Sequence, residues 1–244
     1  EHGSGYSNVA FLFKNGPSKE IYESEKSIAQ FSNIKFEEVN FPKFPTKGNA
    51  TIKYVTEGKI KKNILKELSN TQEGEKIEIA MFLLTERKII NELIKASNRG
   101  AKIEIVLDPS KSLFGRDSAG IPNCAAAMDL VKKTDGKIKI RWYDSEKMEF
   151  HAKMITIYKK DGSTIIFLGS ANMTRRNLDN LNVESNVILK ANNKTKIVQD
   201  IRKFFRRIWE NQDYEYTKEY ESCKTNLWSY FLYRIQETTG FSAF

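Results

Sequence analysis

The chain has 244 residues, 40% of them hydrophobic and 29% charged, enough to bury a sizeable core in one large domain or two modest ones. No apolar run approaches the ~20 residues that a membrane-crossing helix needs, and the opening EHGSGYS has neither the basic start nor the apolar centre of a signal peptide. The net charge of +9 favours polyanionic partners, namely phosphodiesters, nucleic acid or an anionic lipid surface.

In chain order, TIKYVT (51–56) reads as a strand, and the helical spacing of Ile60, Ile64, Leu65 and Leu68 predicts a helix over 58–70. EKIEIAMFLL (75–84) alternates into an apolar run, as a buried strand does. The next segment, 86–100, carries apolar residues at 89, 90, 93 and 94 and stops at Gly100. AKIEIVLDP (101–109) is a strand ended by Asp108-Pro109, 123–136 is a helix, and KIKIRWYD (137–144) is a strand. This order predicts an α/β sandwich around a mixed sheet. The second half opens with two strand-like runs, 148–158 and 163–172, joined by the hairpin signal KKDG. A strand over 184–190 and a helix over 194–210 follow. The tail is rich in aromatic residues, and its 225–240 section suits an amphipathic helix.

One internal similarity bears on domain organisation. Residues 7–31 and 185–209 both begin Ser-Asn-Val, continue as an apolar strand, cross a polar turn and end in a helix, at a constant offset from Ser7/Ser185 to Phe31/Trp209. Duplication explains this better than chance. Residues 1–48 then read as the tail of a preceding copy and a linker, with the prolines of PKFPTKGN (42–49) at the seam. Residues 49–212 read as the catalytic domain and 213–244 as an aromatic helical extension.

The chemistry concentrates in 150–189. His151 and Lys153 are two residues apart, so on a strand their side chains share one face, and Ser170 and Asn172 repeat that spacing on the next strand. A hairpin would therefore gather an imidazole, an ammonium, a hydroxyl and an amide. That set suits attack of the imidazole on phosphorus, with Lys153 and Asn172 stabilising charge on the phosphoryl oxygens. Gly169 would let the backbone approach a substrate closely. Cys124 and Cys223 stand far apart with no CxxC or Cys/His spacing, so both read as ordinary thiols. Nothing offers a cluster of carboxylate or cysteine ligands, and neither a metal nor another cofactor is expected.

His151-x-Lys153 followed by Gly169-Ser170-x-Asn172 resembles the HKD motif of the phospholipase D superfamily, and 81–123 is similar to bacterial two-motif members. The resemblance spans roughly residues 50–240. It implies an α/β/α sandwich and a ping-pong mechanism through a phosphohistidine on His151, with a His from a second motif protonating the leaving alcohol. It also implies that Glu184 is the acid that holds the nucleophilic imidazole. Two departures stand out. Tyr158 occupies the position of the family's Asp, and the interval from His151 to Gly169 is lengthened in the KKDG turn, where Asp161 is a candidate replacement. The only other histidine, His2, has no x-Lys after it and reads as a terminal residue. A second HKD half is therefore expected from a preceding N-terminal region or from a homodimer partner.

Around this core, Arg175 and Arg176 are candidate substrate contacts beside Thr174, weighed against a solvated turn. Lys111 and Arg116 read as a surface loop, Asp108 as a strand-end turn residue, and Trp228, Tyr230, Phe231 and Tyr233 as core packing, with docking on an anionic membrane surface left open. Three functions are compatible with these residues. The first is hydrolysis or transfer of phosphatidyl groups, as in phospholipase D or cardiolipin synthase. The second is nuclease chemistry on DNA or RNA by the same intermediate. The third is a non-catalytic phosphate- or nucleic-acid-binding module, supported only by Tyr158 in place of Asp.

Overall fold

The computed structural model describes residues 5–14, 16–35, 37–41, 48–109, 112–113, 116–117, 123–144, 148–221, 231 and 234–235. His2, most of the proline-bearing seam, Lys111, Cys223, Trp228, Tyr230 and Tyr233 lie outside them, as does the side chain of Arg116.

The elements in order are β1 (Gly5–Ser7), α1 (Ser18–Phe31), β2 (Ala50–Thr56), α2 (Gly58–Ser69), β3 (Lys76–Met81), α3 (Arg87–Asn98), β4 (Lys102–Leu107), β5 (Ser112–Leu113) and β6 (Arg116–Asp117). They continue with α4 (Asn123–Lys133), β7 (Lys139–Tyr143), β8 (Met148–Phe150), β9 (Lys153–Tyr158), β10 (Ser163–Gly169), α5 (Arg175–Leu178), β11 (Ser185–Asn192), α6 (Lys196–Trp209) and β12 (Thr217–Glu219). An eight-stranded sheet in the order β12-β7-β4-β3-β9-β10-β11-β2 forms the centre. Its β3, β4 and β7 run parallel, whereas β9, β10, β11 and β2 pair antiparallel in succession. The sheet is mixed, as the sequence predicts.

Strand alternation divides the core into two layers. Ile77, Ile79 and Met81 of β3 and Ile155 and Ile157 of β9 face one layer with Ile64 of α2, Leu93 of α3 and Leu130 of α4. Ala80, Met154 and Ile166 face the other, against Val198, Ile201, Phe205 and Ile208 of α6. These α6 residues recur at helical spacing, so one stripe of the helix is buried. Each fully buried Ile or Phe contributes about 1.5–3 kcal/mol relative to an exposed one. The result is an α/β/α sandwich. Among the described residues no helix is long and apolar enough to cross a membrane.

The structure departs from the sequence expectation at four places. The run 148–158 is two strands, because His151 and Ala152 leave the ladder between β8 and β9. Residues 8–13 are not a strand; only Ser7 is paired, at the end of a short β1 that lies parallel to β8. The strand β12 pairs with β7 although its sequence has no apolar alternation. Cys124 is disulfide-bonded, not a free thiol. Two cysteines remote in sequence carry no spacing signature, because bridging depends on proximity in the fold. The hairpin is as expected: β9 and β10 pair through Leu168↔Met154, and the turn is completed by Gly162 at φ +80°, a conformation that suits glycine.

Candidate active site

The strand directions bring one edge of the sheet together. There β3, β4 and β10 end, and β9 and β11 begin. Lys153 opens β9 opposite Met81, the last residue of β3. Its Nζ donates to the His151 carbonyl at 3.0 Å and lies 5.1 Å from the centroid of the Phe82 ring. The His151 imidazole packs on the same ring at a centroid distance of 4.9 Å. Phe82, fully buried, is therefore a shared platform for the imidazole and the ammonium. The sequence reading assigns it only to a buried strand, since nothing local distinguishes a platform aromatic from a core one.

Burial and the neighbouring Lys153 charge depress the His151 pKa to about 4, so the imidazole is neutral at neutral pH and keeps a nucleophilic lone pair. Burial also lowers the Lys153 pKa to about 8, against the opposing pull of Glu184 and Glu149. Lys153 as a whole is 5% exposed, and its ammonium remains charged below that pH.

The loop after β10 supplies the remaining groups. An added Cβ on Gly169 would lie 2.2 Å from the Ser185 carbonyl oxygen, so only glycine permits β10 and β11 to approach this closely. The crowding thus comes from the adjoining strand and not from a space left for substrate. Ser170 donates from its backbone N–H to Ser185 O at 2.9 Å, accepts from the Ser185 N–H at 3.0 Å, and donates its hydroxyl to Glu184. The Ala171 N–H donates to Asn186 Oδ1 at 3.2 Å, and the Met173 N–H donates to Leu83 O at 2.9 Å. Asn172 is held between these two anchors, and its buried Oδ1 has no hydrogen-bond partner.

Glu184 is buried beneath this loop and accepts from Ser170, from Asn177 and, at 2.7 Å, from Asn182. Both of its oxygens are engaged by these neighbours, and it acts on Lys153 through charge. Thr174 is fully buried. It caps α5 through Asn177, so it belongs to the support of Glu184 and not to a solvated turn. Arg175 pairs with Asp179 at 3.5 Å, and Arg176 is exposed. Three supporting residues escape the sequence reading. Asn123 accepts from the Leu84 N–H at 2.9 Å and donates to the Phe82 and Asp108 carbonyls, fixing the loop that carries the Phe82 platform. Asn186 holds Ala171. Asp108, buried rather than a simple turn residue, accepts from the Phe150 N–H at 3.0 Å just before His151. On the other side, the His151 N–H donates to Ser7 O at 2.9 Å.

The two departures from the motif also have places. Tyr158 donates its hydroxyl to the buried Glu78 at 2.8 Å under the Arg202 guanidinium, so a carboxylate reaches this position from β3. Burial and the Glu78 charge push the Tyr158 pKa up and keep the phenol protonated. Asp161 is exposed in the hairpin turn, where it accepts from the Ser163 N–H and hydroxyl. It serves the turn. A groove of about 790 Å³ between α1 and β2 includes Val183 in its wall but none of the residues His151, Lys153, Ser170, Asn172 or Glu184.

With this geometry in hand, a family model described as "Cardiolipin synthase, PLD-like domain" matches residues 64–209, more than half of the chain. The chain belongs to the phospholipase D-like superfamily. Members of this superfamily are phosphodiesterases, and the chain has their fold. Among solved structures, it is similar to Nuc, a phospholipase D family member from Salmonella typhimurium, at 18% identity and a TM-score of 0.52. That match covers 71% of this chain and 99% of Nuc. It is also similar to phosphatidylserine synthase from Haemophilus influenzae Rd KW20, at 13% identity and a TM-score of 0.57 over 94% of this chain. The chain spans 55% of that synthase. At these identities the two structures support the fold alone. A search of curated protein sequences finds no match.

Proposed function

We propose that this phospholipase D-like chain supplies the nucleophilic half of a phosphodiesterase that hydrolyses or transfers phosphatidyl groups of phospholipids through a phosphohistidine on His151. The observation that carries the reading is the neutral imidazole of His151 lying with the Lys153 ammonium on the Phe82 ring. A neutral imidazole attacks phosphorus, and an adjacent ammonium stabilises charge that grows on the phosphoryl oxygens. Asn172, whose buried amide oxygen has no hydrogen-bond partner, supplies the second polar group for the phosphoryl oxygens. Ser170 and Glu184 hold that loop in place, and Arg175 and Arg176 flank it as contacts for phosphate or headgroup.

In the first step a His151 ring nitrogen bonds to phosphorus, and the P–O bond to the leaving alcohol breaks with that oxygen taking a proton. In the second, water or an alcohol attacks the phosphohistidine and releases His151. The proton donor of the first step is a histidine from a second HKD half, supplied by a preceding N-terminal region or by a homodimer partner. The lipid reading is favoured by the cardiolipin synthase description of the matching family model. Nuclease action on DNA or RNA is the second reading, favoured by the net charge of +9.

The complete polypeptide, assayed in EDTA on phosphatidylglycerol or phosphatidylcholine vesicles and on single-stranded DNA, separates the two. Turnover of lipid is expected, with radiolabelled phosphate trapped on His151 after acid-free quenching. His151→Ala is expected to abolish turnover. A rate left intact by that substitution would remove His151 from the mechanism, and turnover of DNA alone would select the second reading. Binding of phosphodiesters without any turnover would favour a non-catalytic module.

A further inference from the structure

One half-buried acid near the nucleophile has no place in the mechanism above. Glu149 lies on β8, two residues before His151 and four before Lys153, and the cluster-facing side of this segment is marked by Phe150, Ala152 and Met154 turning the other way into the α6 layer. Its Oε1 is buried and has no hydrogen-bond partner. The charged groups that act on it are Asp108 and Lys153.

Lys153 has two carboxylates that favour its charged form, Glu184 and Glu149. Glu184 is already engaged, one oxygen by Ser170 and the other by Asn177 and Asn182. Each of those bonds draws carboxylate density away from the lysine. Glu149 retains a buried oxygen that nothing else claims. A buried lysine of this kind loses its proton readily unless an opposite charge stands near it.

We propose that Glu149 is a positioning residue of this site, its carboxylate acting through Lys153 to keep the ammonium charged and directed at the phosphoryl group. The inference rests on the reading of Lys153 as a phosphate ligand, but its test does not. Burial and the Asp108 charge raise the Glu149 pKa, so its hold on Lys153 weakens in acid as the carboxyl takes up a proton. The groups facing the pair are His151 on the same run, Asp108 at the end of β4, Glu184 before β11 and the Phe82 ring.

The experiment is an NMR titration of the lysine side chains of the full 244-residue chain, with the Lys153 signal assigned by its loss in Lys153→Arg. In Glu149→Gln the Lys153 midpoint should move down by about half a pH unit or more, whereas Glu149→Asp, which keeps the charge, should stay near the parent value. Should the glutamine variant not fold, the parent chain still decides. Its Lys153 signal should show a second inflection in the acid range, matching the titration of the Glu149 carboxyl carbon. An unchanged midpoint in folded Glu149→Gln, or a Lys153 signal blind to Glu149, would overturn the proposal whether or not the chain turns over any substrate. A site that merely lost packing would hydrate the ammonium and move the midpoint up, the opposite direction.

Discussion

At the scale of single residues, the site is governed by what burial does to two titrating groups. His151 stays neutral down to about pH 4, and Lys153 stays charged up to about pH 8. If His151 must be neutral and Lys153 cationic, kcat/KM should fall below the first value, where the imidazole gains a proton. It should fall above the second, where the ammonium loses one. A pH–rate profile flat across the window and bounded near those limits is the expected result; an acid limb near pH 6.5, the ordinary histidine value, would show that the imidazole is not desolvated as described. The hairpin that carries the motif was legible in the sequence from its two apolar runs and the KKDG turn, although only Lys153 of the four motif residues lies within a hairpin strand: His151 precedes β9, and Ser170 and Asn172 follow β10. Asn123 and Asp108 were not. Their roles are hydrogen bonds to backbone groups some forty positions away, such as Asn123 to Leu84 and Asp108 to Phe150, and no local pattern encodes such a partner. Asn123→Ala would remove three buried hydrogen bonds, to the Leu84 N–H and to the Phe82 and Asp108 carbonyls. A loss of about 3 kcal/mol in urea unfolding is expected, each abandoned buried group costing roughly 1–3 kcal/mol.

At the scale of elements, β10 and β11 form the joint on which the polar loop turns. Ser163–Gly169 pairs residue for residue with Asn186–Asn192, and the pairing closes at Gly169 where no side chain fits. Gly169→Ala should push Ser185 and Asn186 away and release Ser170 and Ala171 from their anchors. The expected outcome is a large loss of kcat with a lower Tm, whereas alanine at Gly136, where an added Cβ meets nothing within 4 Å, should leave kcat unchanged. The elements of the sheet and the flanking helices were legible because their periodicities are strong, as with Ile60, Ile64 and Leu68 on α2. The break at His151-Ala152 was not. Continuous β-favouring sequence gives no sign that Asp108 and Ser7 take the hydrogen bonds that a ladder would otherwise supply there. The strand reading of 8–13 failed for the complementary reason: apolar alternation proposes a strand, but only a neighbour with free backbone groups makes one.

At the scale of the whole molecule, the proposed mechanism takes its nucleophile and phosphate ligands from the described site and its leaving-group proton from a second half. Leaving groups that need no proton should therefore escape that requirement. Without a second HKD half, the 244-residue chain is expected to release p-nitrophenol from an activated phosphodiester while acting on an alkyl diester on the order of 10²–10⁴-fold more slowly. Equal activity on both substrates would mean that this chain, alone or as a homodimer, already holds a proton donor. The strand order carries a further consequence, for the time at which the site comes into being. β2, the first strand of the main sheet to leave the ribosome, pairs with β11, and Ser7 meets His151 from the far end of the sequence. Contacts of such high sequence separation close late. The nascent chain can gather its parallel strands and their helices early, yet the imidazole acquires its Ser7 support only after β8 has emerged, and the loop after β10 its Glu184 anchor only when the start of β11 follows. A half-made chain carries the motif's histidine without the cage that activates it.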